Sequence, residues 1–89
     1  LQKLARKIYY IANFYYKQEQ YDSALGRFEN LLKTYSKVGL DARTLYGASM
    51  SAYKLKDLNK SRRYYNRLLN EYPKSKWAAK AKTDLSSYL

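Results

Sequence analysis

The stretch Ala12–Leu32, A-N-F-Y-Y-K-Q-E-Q-Y-D-S-A-L-G-R-F-E-N-L-L, decides the fold. It reads as the end of one helix, a tight turn and most of a second helix, with small and aromatic residues on the facing sides. Ser49–Leu69, S-M-S-A-Y-K-L-K-D-L-N-K-S-R-R-Y-Y-N-R-L-L, repeats this unit 37 residues on. One hairpin of this size cannot bury its own apolar face, so repeated hairpins stack and share a core. A stack of this kind offers a surface to a partner.

Outward from that stretch, Leu4, Ala5, Ile8, Ile11, Ala12 and Tyr15 recur at three- and four-residue steps, which predicts a helix from Gln2 to about Gln18 with these residues on one face. Glu19 and Gln20 make the turn. Tyr21, Ala24, Leu25, Phe28, Leu31, Leu32 and Tyr35 give the cleanest helical stripe, ending near Tyr35 or Ser36. Ser36-Lys37-Val38-Gly39 is the loop between hairpins, where Gly39 can take a positive φ. Asp41 is the expected N-cap of a third helix running to Leu55, with Leu45, Ala48, Ser49 and Ala52 inward. Asp57 can cap a fourth helix, whose stripe is Leu58, Ser61, Tyr65, Leu68, Leu69 and Tyr72. Pro73 stops it, and Ser75 caps a fifth helix carrying Trp77, Ala78, Ala81, Leu85 and Tyr88 on one side.

The units match position by position. Ala5, Ala42 and Ala79 correspond, as do Ile8 and Leu45, Tyr9 and Tyr46, Tyr16 and Tyr53, Phe28 and Tyr65, and Tyr35 and Tyr72. Ala24 corresponds to Ser61, where a small side chain lets two helices approach closely. The expected architecture is all-α: one domain over residues 1–89 with hairpins at about 2–36 and 41–73 and a capping helix at about 75–88, wound as a right-handed superhelix. Leu1–Arg6 does not look like a polar terminal cap, so further repeats are expected before Leu1.

Composition narrows the function. The chain has 89 residues, no cysteine and no histidine, which removes thiolate chemistry, the commonest general base and the commonest metal ligand. Its seven carboxylates are dispersed, and there is no glycine-rich phosphate loop. No catalytic residue, metal ligand or cofactor site is expected. No run of about 18 apolar residues is present. Net charge is +11, with the 18 basic residues spread over every expected helix rather than massed in one run. Such a chain can bind an acidic protein face, anionic lipid or nucleic acid.

The A-N-F-Y-Y-K-Q…Y-D-S-A-L…F pattern of Ala12–Phe28 resembles tetratricopeptide repeats. The usual glycine of the internal turn is replaced by Glu19 and Lys56, and the usual proline after the second helix is Ser36 in the first unit and Pro73 in the second. The 37-residue period, A-L-G-R-F-E-N-L-L, L-Y-G-A-S-M-S-A-Y-K-L-K-D and the ending Y-P-K-S-K-W-A-A-K-A-K resemble a narrower family. That family is the BamD (ComL-type) lipoprotein of the outer-membrane β-barrel assembly machinery, and the match is to its C-terminal repeats. Periplasmic adaptors of the Tol–Pal type, whose repeats also end in Y-P-x-S, are the alternative. The resemblance implies a non-enzymatic scaffold on the periplasmic side of the bacterial outer membrane. Its lipid anchor would lie outside this stretch, and its partners would be barrel-assembly subunits or unfolded outer-membrane protein clients. It also implies that these repeats dock on the periplasmic domain of the central barrel subunit, with Arg27 on the docking surface. Against that role stands an arginine pairing with Asp22, Glu29 or nothing.

Three further groups of residues are candidates. Arg6, Tyr9, Asn13 and Tyr16 recur as Arg43, Tyr46, Met50 and Tyr53, and line the expected concave groove. Tyrosine and arginine anchor interfaces, so this groove could hold an extended peptide. Alternatively the tyrosines pack between hairpins with their hydroxyls in water, with Tyr9 and Tyr46 the more exposed. Lys60, Arg62, Arg63 and Arg67, with Tyr64 among them, make the densest basic patch, read as a solvated face or as contact with acidic protein, anionic lipid or single-stranded nucleic acid. Trp77 reads as a lid over the second hairpin. Stacking of two copies through exposed ends is also open.

Overall fold

The computed structural model describes residues 2–89. Among these the chain forms five helices and no strand: α1 Gln2–Lys17, α2 Tyr21–Thr34, α3 Asp41–Lys54, α4 Leu58–Glu71 and α5 Lys76–Leu85. They form two antiparallel hairpins, α1/α2 and α3/α4, stacked through α2 and α3. Helix α5 lies against α3 and α4. The helical hairpin stack expected from the repeat is the observed fold.

The internal turns keep their geometry without glycine. Glu19 and Lys56 have φ of 61° and 66°. The amide of Glu19 donates to Tyr16 O and that of Gln20 to Tyr15 O, and Lys56 and Asp57 repeat the pair on Tyr53 O and Ala52 O. This is the paired closure of a helix end around one left-handed residue. Gly39 takes φ 90°, as its place in the inter-hairpin loop predicts. Asp57 and Ser75 act as N-caps, accepting from the amides of Lys60 and Ala78.

Asp41 is not an N-cap. Leu40 holds that place, and the Asp41 carboxylate turns back to accept the Lys37 amide at 3.0 Å and the Tyr72 hydroxyl at 3.2 Å. Buried at the start of α3, it ties the inter-hairpin loop to the end of α4.

The core runs along the hairpin seams: Ala5, Tyr9 and Ala12 of α1, Ala24, Leu25, Phe28, Leu31 and Leu32 of α2, Leu45, Ala48 and Ala52 of α3, Leu68 of α4, and Ala78, Ala81 and Leu85 of α5. Small residues set the spacing. Ser61 is fully buried and its hydroxyl donates to Ser49 O at 2.8 Å, so α3 and α4 touch at two serines. Gly47 faces the ring of Phe28, and a Cβ there would lie 2.5 Å from Phe28 Cζ. Several expected core positions are outside. Leu4 and Ile11 are 48% and 40% exposed, because none of the described helices covers the outer side of α1. Leu58 sits exposed in the first turn of α4, and Tyr88 falls in the turn after α5.

Candidate functional site

The first helices of the hairpins bring Tyr9, Asn13 and Tyr16 of α1 beside Tyr46 of α3, and α5 adds Trp77 and Lys80. With Lys17 and Gly47 these residues line a groove of about 300 Å³. Each tyrosine of the pair has a separate anchor. Tyr9 packs on Phe28 at 5.8 Å between ring centroids, and Tyr46 packs on Trp77 at 5.5 Å. Tyr9 is only 7% exposed, which corrects the expectation of an open ring: the Phe28 ring that Gly47 admits also closes over Tyr9. Tyr16 is half-buried and meets Tyr21 edge-on across the turn.

The remaining groove candidates lie outside this lining. Arg6 is exposed on α1, and Met50 is half-buried on α3. Tyr53 stacks on Tyr88 at 5.4 Å, at the other end of α3. Arg43 lies over the ring of Tyr9 at 5.7 Å and near that of Trp77 at 5.9 Å.

Burial raises the hydroxyl pKa of Tyr9 and Tyr16 above the ordinary 10.0. Tyr46 is raised furthest, first by burial and then by its hydrogen bond to Asp84. That bond, 2.6 Å from the hydroxyl to Oδ2, pins α5 to α3 at the groove wall. At neutral pH the groove therefore presents neutral phenols as donors and acceptors. Lys17 and Lys80 are the charges in its lining, and no carboxylate is part of it.

Lys80 and Asp84 are functional candidates that the sequence did not single out, whereas Trp77 was expected as a lid. Trp77 is half-buried and serves both as a cover on Tyr46 and as a groove wall. The packed side of α5 is Ala78, Ala81 and Leu85, as the stripe in the sequence indicates; Lys80 and Asp84 reach Tyr46 from beside it.

Arg27 sits on the flank of α2, half-buried. Its guanidinium lies 4.3 Å from the Tyr15 ring centroid and donates to Ser23 O at 3.2 Å. It pairs with neither Asp22 nor Glu29. Glu29 instead accepts the Tyr64 hydroxyl at 2.6 Å and Lys60 Nζ at 3.1 Å, linking the two hairpins.

The basic residues of α4 are not one free stripe. Lys60 holds Glu29, Arg67 pairs with Glu71 at 3.2 Å, Arg63 lies over Tyr64, and Arg62 reaches Leu89 O. Each has a contact inside the chain. Among the described residues no helix is long and apolar enough to cross a membrane, and no cluster of metal-ligating side chains occurs.

A family model described as tetratricopeptide repeat matches residues 8–37 and 43–75, one hairpin each. No curated protein and no solved structure matches the chain.

Proposed function

Because the chain belongs to the tetratricopeptide-repeat family, whose repeats generally mediate protein–protein interaction, we propose that it is a non-catalytic scaffold holding a protein segment in the groove between α1, α3 and α5. The observation that carries this reading is the groove itself. Tyr9, Asn13, Tyr16, Tyr46 and Trp77 put three kinds of hydrogen-bonding and ring surface along one concavity that crosses both hairpins. Rigid amphipathic rings of this sort give large contact area at small entropic cost. The lining holds no pair of groups set up for proton transfer or nucleophilic attack.

We further propose that the scaffold works in outer-membrane β-barrel assembly, on the periplasmic side of the bacterial outer membrane. Support comes from the 37-residue period, the A-L-G-R-F-E-N-L-L segment and the Y-P-K-S-K-W-A-A-K ending. Its docking contact with the central barrel subunit would use Arg27. The Tyr15 ring holds that guanidinium in place on the flank of α2, leaving donors that can meet a carboxylate.

Titration calorimetry of the chain against the periplasmic domains of the central barrel subunit tests this placement. Saturable binding that Arg27→Glu weakens by about tenfold, roughly 1.4 kcal/mol, is the expected result. Absence of binding by the folded chain overturns the placement in barrel assembly and leaves the groove as a site for another protein.

A further inference from the structure

The groove carries more unpaired positive charge than its lining alone shows. Arg43 is half-buried on α3, between the rings of Tyr9 at 5.7 Å and Trp77 at 5.9 Å. Lys80 Nζ lies 5.7 Å from the Tyr46 ring centroid, and Lys76 Nζ 5.2 Å from that of Trp77. The salt bridges found among the described residues are Lys60–Glu29 and Arg67–Glu71, both away from this wall. Asp84 accepts from the Tyr46 hydroxyl at this wall and keeps its negative charge, which is also felt at Tyr16. Arg43, Lys76 and Lys80 rest on the groove rings, none of them in a salt bridge, and with Lys17 they outnumber that one carboxylate.

Rings attract a cation by their faces and leave its N–H donors at the edge free. For a guanidinium this matters most. Rings 5.7 and 5.9 Å away on α1 and α5 limit where the guanidinium can go, so less side-chain freedom is left to lose when a carboxylate arrives. The same ring contacts argue against a nucleic-acid strand. Bases would need open ring faces to stack on, and here Tyr9, Tyr46 and Trp77 already carry cations.

We propose that the groove takes an extended protein segment with acidic side chains, and that Arg43 reads one of its carboxylates through a two-pronged hydrogen bond. This rests on the groove reading above. Lys76 and Lys80 supply longer-range attraction along the α5 wall, and the ring edges together with Tyr16, which carries no cation, take the apolar side chains between the acidic ones.

The test uses short peptides alternating glutamate with leucine and phenylalanine, and their glutamine counterparts. Trp77 is the only tryptophan, so its fluorescence reports occupancy of this groove and no other surface. The acidic peptide is expected to bind about tenfold more tightly than its glutamine counterpart at moderate salt, with a change in Trp77 emission. In Arg43→Met that preference is expected to shrink to about threefold or less, with the glutamine peptide unaffected, and Arg43→Lys is expected to fall between. A merely structural role for Arg43 would weaken both peptides alike, which overturns the proposal. Should Arg43→Met fail to fold, the preference and the Trp77 signal of the wild-type chain decide the matter alone. Equal binding of both peptides overturns the acidic selectivity while the groove reading stands. Absence of binding by both, with no Trp77 change, overturns the groove reading itself. Tighter binding of an oligothymidine strand than of the acidic peptide, lost in Arg43→Met, also overturns the proposal.

Discussion

Helices α1 and α3 occupy equivalent places in their hairpins, yet they solve different packing problems. Tyr10, Ile11 and Phe14 of α1 correspond to Gly47, Ala48 and Ser51 of α3. The α1 residues are 58%, 40% and 58% exposed, whereas their α3 counterparts are all buried. A helix between two neighbours must be thin on both sides, and α3 meets α2 on one and α4 on the other. Repeat position sets which face points where. Place in the stack sets how large the side chains on that face can be.

The sharpest way to break this comparison is to truncate one phenylalanine on each side of it. Phe28 fills the α2–α3 seam at 1% exposure, while Phe14 stands on the outer side of α1. Phe28→Ala is expected to cost about 3–5 kcal/mol in urea denaturation, enough to unfold much of a domain this small. Phe14→Ala is expected to stay within about 0.5 kcal/mol. Equal costs would mean that the outer side of α1 is covered in solution.

Adding atoms gives the second contrast. A Cβ at Gly47 would lie 2.5, 2.7 and 2.8 Å from three ring atoms of Phe28, which is too buried to swing away. Gly47→Ala is therefore expected to cost about 1–3 kcal/mol, even though alanine favours the helix by up to about 1 kcal/mol. The equivalent Tyr10→Ala has no such contact to make and should be near neutral. A thermal melt of each variant decides whether α3 is as tightly held as this spacing requires.

The tyrosines offer a third contrast, read by pH. Burial is the main cause of the raised pKa of both Tyr46 on α3 and its counterpart Tyr9 on α1, but Tyr46 adds a hydrogen bond to Asp84. In both, the folded state keeps the phenol neutral after the unfolded chain has begun to ionise at the ordinary value of 10.0. Their contribution is thus complete below pH 10 and is lost as pH climbs through the raised folded values. Tyr46→Phe is expected to cost about 1–2 kcal/mol at pH 7 and to flatten the decline above pH 10. A decline as steep as that of wild type would remove Tyr46 from the alkaline transition.

Much of this was legible in the sequence. The stripe of Ala24, Leu25, Phe28, Leu31 and Leu32 is buried as its period requires, because α2 is covered on both flanks and periodicity alone specifies it. Asp57 and Ser75 cap helices because their side chains need only local backbone partners. What failed was non-local. Leu4 and Ile11 share the period of a core face but have no neighbouring helix among those described. Asp41 stands at a cap position, yet Lys37 and Tyr72 draw its carboxylate elsewhere. Of the expected groove residues, Tyr9, Asn13, Tyr16 and Tyr46 line the concavity, while Arg6, Arg43, Met50 and Tyr53 do not, because α1 and α3 approach each other only over part of their lengths. On α5 the stripe of Trp77, Ala78, Ala81 and Leu85 showed the packed side. Lys80 and Asp84 lie beside that stripe, and their reach to Tyr46 is a non-local contact that no period marks.

The smallest expected effects come from the one feature that the two hairpins share against the family's habit. Glu19 and Lys56 hold left-handed backbones, at φ 61° and 66°, where glycine is at home. The turn persists because its two closing hydrogen bonds, from Glu19 and Gln20 or from Lys56 and Asp57, are made by backbone alone. A side chain at such a position costs about 1–2 kcal/mol, and glycine's greater freedom in the unfolded chain returns part of that. Glu19→Gly and Lys56→Gly should each stabilise the chain by about 0.5–1 kcal/mol in denaturant titrations. The turns lie at corresponding points of the two repeats, and neither side chain meets a partner. Their effects should therefore match and add in the double variant. A gain at Lys56 without one at Glu19 would show that the first hairpin's turn is held by something beyond its backbone, and that α1 is more tightly bound than its open face implies.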